Sequence, residues 1–250
     1  MNLLQPQDRK SLDAGDSREA VDARSSLLDA GVGRAVLDAV ADRATTLLDQ
    51  NSPAVIAELG SGTGDLLGTI AAGRSIRGVG LDLSIHAASH AARRFPSVAW
   101  VVANADRRLP LLDGSTALVL SVHARRNPSE CRRVLVEGGF LLIAIPSTDD
   151  LIELREEVQG TAVEHDRVPP LIDEHAEGFV LVNRTTCTQR LDLARDQLLK
   201  LLRGTYRGER FSESTRVQAL DRLSVTLSSD ILLFKKIQAV AGDLSTSCTP

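Results

Sequence analysis

The clearest chemical pattern in this chain is Glu58, Gly60, Gly62 and Gly64, followed further on by Asp82. The glycines close an apolar run that begins at Val55 and is bounded by Pro53, which reads as a buried strand. Glycine at such a turn allows positive φ and lets backbone N–H groups come close to a ligand. Alone, a GxGxG fits any tight strand-to-helix turn equally well. What favours a binding site is the next unit, Gly78 to Ser84, a second strand ending in Asp82. An acid there is placed to accept hydrogen bonds from ribose hydroxyls across the switch point of a doubly wound sheet.

Elements that would hold these residues follow from the hydrophobic pattern. Helices are expected over Arg18 to Leu28 and Ala35 to Leu48, with Ser17 placed as an N-cap, and both precede the first strand as a cap over the site. Strands are expected at Val55–Leu59, Gly78–Ser84, Val98–Ala103, Ala117–Val122 and Phe140–Pro146. The intervening helices are Leu66–Ala72, Ile85–Arg94 and Pro128–Leu135, the last closed by Gly138-Gly139. Five such alternations predict a parallel sheet with right-handed crossovers. Beyond Pro146 come a helix at Leu151–Val158, a polar stretch at Gln159–Glu177 containing Pro169-Pro170, and a helix at Leu193–Leu202. That helix separates two long alternating strands, Phe179–Leu193 and Leu223–Lys235. The fold class is therefore α/β, a doubly wound seven-stranded Rossmann-like sheet with an N-terminal helical cap. Residues 1–50 are read as the cap, 51–240 as the main domain with a substrate-side insertion at 151–222, and 241–250 as a flexible tail.

Bulk properties narrow the chemistry. The 250 residues suffice for one α/β domain with an extension, and 43% apolar with 25% charged residues is ordinary for a globular chain. Aromatics make up only 3%, with one Trp and one Tyr, so base-stacking platforms are scarce. The net charge of −4 excludes a global basic field. Cys131, Cys187 and Cys248 form no CxxC pair, so neither a disulfide framework nor a zinc site is expected. His86 and His90 have helical metal-ligand spacing but lack further ligands nearby, and His165, Asp166 and His175 are equally unspecific. No metal is assigned. With no apolar leader and no membrane-length run, the expected setting is the cytoplasm.

The arrangement E-x-G-x-G-x-G, rather than GxGxxG, resembles motif I of class I S-adenosylmethionine (SAM) methyltransferases. The resemblance implies a SAM site built from Glu58, Gly60, Ser61, Gly62, Asp82, Leu83 and Ser121. It adds the loop Ala103–Pro110, whose Asn104, Ala105 and Asp106 would face the adenine. Family sequences often read D-A-x-x-L-P here, so Asn104 and Asp106 compete for the role, and an Asx turn fits either of them singly. In this topology the end of the fourth strand opens beside the methyl group. His123 there is a candidate base or substrate ligand, against the plainer reading of a strand-edge side chain. Arg125 and Arg126, with Asn127, could meet a phosphate or carboxylate, against a solvated turn. Catalysis on a sulfonium is chiefly placement of an in-line nucleophile, and a ring nitrogen must also lose its proton.

One family fits more closely. Ala14–Gly31, AGDSREAVDARSSLLDAG, resembles the linker of the large-subunit rRNA guanine-N1 methyltransferases, a group that includes macrolide-resistance enzymes. The similarity continues through ELGSGTGD, GLDLS, ARRNPSECRRVLVEGG, IPSTDDLIELR and GFVLVNRTTCTQRLDL. It implies methyl transfer from SAM to N1 of a hairpin guanine, with rRNA as partner. The family's Cys-rich zinc module has no counterpart here, since no Cys precedes Cys131, and its GHY is Gly31-Val32-Gly33. Arg18, Arg24 and Arg34 with Arg125 and Arg126 are candidates for a local basic surface. A small-molecule methyltransferase on the same scaffold is the alternative, a non-catalytic SAM-binding protein the third reading, and a homodimer the assembly to test.

Overall fold

A computed structural model describes residues 1–4, 15–48, 54–160, 164–204 and 220–238, the side chains of 158 and 159 excepted. The tail expected at 241–250 and Tyr206 lie outside the described residues. Two helices come first, α1 (Arg18–Asp29) and α2 (Arg34–Leu47). The βα units follow: β1 (Ala54–Leu59), α3 (Asp65–Ala71), β2 (Ile76–Asp82), α4 (Ile85–Arg94), β3 (Ala99–Val102), β4 (Thr116–Val122), α5 (Pro128–Val134) and β5 (Leu135–Pro146). The remainder is α6 (Ile152–Gln159), α7 (Val168–His175), β6 (Phe179–Ala194), α8 (Arg195–Arg203) and β7 (Arg222–Lys236).

The strands form one seven-stranded sheet in the order β3-β2-β1-β4-β5-β7-β6. β1 to β5 run parallel, β7 lies antiparallel to β5, and β6 antiparallel to β7. The order in which strands are added reverses between the parallel β1 and β4, which is where such sheets open a crevice at their carboxyl ends.

Alternate residues of each strand feed two cores. One, containing Leu59, Val119, Ile143 and Leu232, is covered by Cys131 and Val134 of α5 and Leu171 of α7. The other, containing Ile56, Leu120 and Leu142, is covered by Val40 and Ala44 of α2, Leu66 and Ile70 of α3, and Ala91 of α4. Burial on both faces is why β1 and β4 read as continuous apolar runs. A third cluster lies at the far end of the β6–β7 pair: Leu27 and Val32, Leu154 of α6, Leu198, Leu201 and Leu202 of α8, and Leu193 and Val225 of the two strands. The N-terminal cap and the late insertion thus share one apolar core above the sheet's end.

Three local readings change. Met1 to Leu4, given no element in the sequence reading, pair with the sheet edge: Leu3 donates to Val102 O at 2.8 Å and Val102 N–H to Met1 O at 2.7 Å. Gly138-Gly139 do not terminate a helix. α5 ends at Val134, β5 begins at Leu135, and the glycines lie in a register shift between the Thr116 and Leu118 pairings, with Gly138 at φ 73°. Within the polar stretch, α7 forms with its two prolines in the first turn, where their missing N–H groups leave no helical bond unmade.

Candidate active site

The glycine turn between β1 and α3 rests on the end of β2. Gly60 and Ser61 both donate to Leu81 O, at 2.8 and 3.0 Å, and Gly60, Gly62 and Gly64 all have positive φ. Trp100 of β3 supports the turn from beneath. A Cβ on Gly64 would lie 2.7 Å from its ring and one on Gly80 2.2 Å, while the indole N–H donates to Phe95 O at 2.9 Å. On the other side Gly60 abuts the β4–α5 loop, since a Cβ there would lie 2.3 Å from that of Ala124.

Asp82 joins the two halves of the crevice. Its Oδ2 accepts from Gly62 N–H and its Oδ1 from Ser84 N–H, both at 2.8 Å. A carboxylate has further lone pairs, so two backbone bonds fix its direction and leave acceptor capacity for hydroxyls. Burial raises its pKa, opposed by those two bonds. Glu58 lies beneath the turn, 3% exposed, with Oε2 accepting from Leu67 N–H at 3.3 Å. Burial pushes its carboxyl up to about 8, and the nearby Asp82 and Asp65 add to the rise. Ser61 Oγ is buried with no hydrogen-bond partner among the described residues.

Two residues of the N-terminal segment complete this wall, and the site pattern in the sequence did not include them. Asp16 O accepts from Ser84 Oγ at 2.7 Å, so the residues before α1 lie on the β2 exit. Arg24 of α1 pairs with Asp16 Oδ2 at 2.7 Å and donates to Gly204 O after α8 at 2.8 Å. Its Nη1 stands 3.5 Å from where a Gly62 Cβ would be. Arg34 lies 3.6 Å and Arg94 3.4 Å from the buried Asp65. Arg24 and Arg34 are therefore engaged within the fold rather than joined to Arg125 and Arg126 in one basic surface. The signal for Arg24 was its position one helix face from Ser17, which does cap α1 by accepting from Ala20 N–H at 3.2 Å.

On the adenine-side loop, Asn104 Oδ1 accepts from Asp106 N–H at 2.9 Å, an Asx turn. Asp106 is exposed and pairs with Arg125 at 3.2 Å. Ala105 packs against the core, and Leu83 packs with Leu4, Ala88 and Val102. Asn127 caps α5, its Oδ1 accepting from Glu130 N–H at 3.4 Å. Its Nδ2 donates to Asp106 O at 3.3 Å, so the two loops are tied. Ser121 is fully buried and donates to Ala124 O at 3.3 Å.

His123 follows β4 with φ 51°, one of two non-glycine residues with positive φ among those described. Strain of that kind persists where the surroundings enforce it. The turn carries the imidazole across the end of β5, where its Nε2 lies 2.9 Å from Ser229 Oγ of β7. Crowding by protein, and secondarily the Arg24 charge, hold its pKa below the usual value although the residue is exposed, so it is neutral at pH 7. Arg125 is 84% exposed; Arg126 is half-buried, donates to Ala124 O at 3.0 Å and is lowered in pKa by burial. His90 is tied to Ser25 Oγ at 3.3 Å, and no group of three or more metal-ligating side chains occurs among the described residues. No described helix is long and apolar enough to cross a membrane.

Residues 56–139 match the family described as a methyltransferase domain. Over 195 residues the chain is 34% identical to the 23S rRNA (guanine(748)-N(1))-methyltransferase of Streptomyces fradiae, covering 77% of this chain and 69% of that one. The chain belongs to the 23S rRNA (guanine-N1)-methyltransferase family. The match runs well beyond the residues 56–139 of the domain, so this methyltransferase shares more with its relative than the generic fold. Solved structures at lower identity establish the architecture alone. The YcgJ protein of Bacillus subtilis has a TM-score of 0.55 at 14% identity, covering 81% of this chain and 100% of that one. Geranyl diphosphate C-methyltransferase from Streptomyces coelicolor, solved with S-adenosyl-L-homocysteine, has 0.51 at 16%, covering 80% and 76%. The glycine turn meets Asp82 through Gly62 and the loop after β4 through Gly60 and Ala124.

Proposed function

We propose that this enzyme transfers the methyl group of SAM to N1 of a guanine in large-subunit rRNA. The observation that carries the proposal is Asp82 meeting Gly62 beside the switch point in a chain 34% identical to an enzyme named for that reaction. When bound, SAM supplies an electrophilic methyl on a sulfonium. The residues present fit it. Asp82 keeps acceptor capacity for the ribose diol, the unpartnered Ser61 Oγ and the glycine N–H groups line the turn, and Arg24 offers a cation to the amino-acid carboxylate. Asn104, Ala105 and Asp106 border the adenine, with Asp106 the better placed of the two polar side chains because Asn104 Oδ1 is spent on its own turn. Leu83 and Ser121 support that site from behind.

Neutral His123 is the candidate group that receives or orients the guanine N1 proton, and Ser229 fixes its ring. Arg125, Arg126 and Asn127 form the acceptor-side rim, with Asn127 acting by holding its loop. Tritiated SAM incubated with unmodified large-subunit rRNA tests the reading: label in a hairpin guanine is expected. Label appearing in small molecules and never in rRNA would replace it with the small-molecule alternative. Failure to bind SAM at all would leave a non-catalytic protein. Concentration-dependent sedimentation would establish whether the protein is a homodimer.

A further inference from the structure

The carboxyl edge of the sheet is electrically lopsided. On the β3 and β4 side, Arg107, Arg108 and Arg125 are exposed. Past β5, Asp149 and Glu156 are exposed, with Asp150 and Glu153 half-buried behind them and bonded to Ser228 and Thr226 of β7. The loop bearing Arg107 and Arg108 is also unusually well held. Leu109 N–H donates to Glu130 Oε2 at 2.7 Å, and Arg133 donates to Leu109 O and Leu111 O, each at 2.9 Å, while pairing with Glu130 at 2.6 Å. Asn127 and Arg125 close it from the other loop through Asp106. Arg133 is thus an internal clamp, and the arginines it leaves outside are displayed on a fixed frame. Arg107 and Arg108 further line an open cleft of about 380 Å³ with Leu3, Leu4, Ala103 and Pro110, apolar surface against which a base can lie.

From this arrangement we infer that the rRNA backbone enters over the β3–β4 side, its phosphates met by Arg108 and Arg125, with the acidic β5–α6 side excluding the strand. The inference rests on the rRNA reading above and adds the direction of approach. Phosphate neutralisation dominates affinity for nucleic acid and makes it salt-dependent. In a chain of net charge −4, the cations that matter must be local and outward-facing, as these are. The exposed Arg125–Asp106 pair is weak by its solvation and exchanges readily for a phosphate.

The test uses the full chain and in-vitro-transcribed large-subunit rRNA, with binding measured over a salt series. Arg108→Glu, and Arg108→Glu with Arg125→Glu, should weaken binding about tenfold or more and lower the slope of log Kd against log salt by about 1–2. Arg108→Glu should leave SAM affinity unchanged, which shows that the crevice still folds. Arg108→Gln with Arg125→Gln, which removes charge without adding any, should lower the slope similarly. Asp149→Asn should not weaken binding. Wild-type affinity and slope in both arginine pairs would overturn the inference while leaving the rRNA reading standing. A wild-type protein that binds no rRNA at all would overturn that reading, and this one with it.

Discussion

Asp82 spends two lone pairs on the turn and offers the rest outward, so its loss has two effects. Asp82→Ala should weaken SAM binding by about 1–3 kcal/mol, measured by calorimetry, because the ribose contact and the Gly62 anchor go together. Glu58 behaves differently, since its pKa is raised to about 8 from an unfolded value near 4.5. Its contribution to stability is complete below the unfolded value and is lost as pH rises through about 8. The unliganded protein should therefore lose thermal stability from about pH 4.5 to pH 8 in excess of Glu58→Gln, followed by calorimetric melting in both. A parallel pH dependence in the two proteins would reassign the buried proton. At this scale the sequence disclosed the acid and glycines, because their types and spacing are local. It did not disclose Arg24, whose meaning depends on a helix docking over a turn far along the chain. Nor did it disclose Ser229, which reaches His123 only through the order of strands.

Elements were legible wherever periodicity was uninterrupted. β1, β2, β4 and α4 declared themselves by pattern, since each is buried on known faces. α7 was hidden by prolines that usually mark loops, and the start of β5 by glycines that usually end helices. Both residues were used for what they permit rather than what they forbid. The connection between α1 and α2 shows the same economy. Gln189 of β6 accepts from Gly33 N–H at 3.2 Å and donates to Gly31 O at 3.1 Å, bracing the turn where the family's GHY is Gly31-Val32-Gly33. Gln189→Ala should cost about 1–3 kcal/mol in chemical denaturation by stripping both groups of their partner. Gly60→Ala should cost at least as much, because φ 67° and the contact with Ala124 both oppose a methyl group.

Across the whole molecule, the decisive feature is the third apolar core, which fastens the first helix to the last. Leu198→Ala should lower stability by about 2–5 kcal/mol and weaken SAM binding together, since α8 positions the Gly204 carbonyl that steadies Arg24. Denaturation and calorimetry on the same variant would separate these effects, and loss of stability with full SAM affinity would detach the roof from the crevice. None of this could be read from the amino acids in order, because the partners are remote: Lys200 donates to Ser26 across 174 positions. That remoteness has a consequence during translation. At about 5–20 residues per second, α1 must wait roughly 10–35 s after leaving the ribosome before its partner helix exists. Until then Leu27 and Val32 lack the α8 leucines that complete their cluster, and nascent chains arrested before residue 195 should be clipped by protease within residues 18–34 while their β1–β5 portion survives.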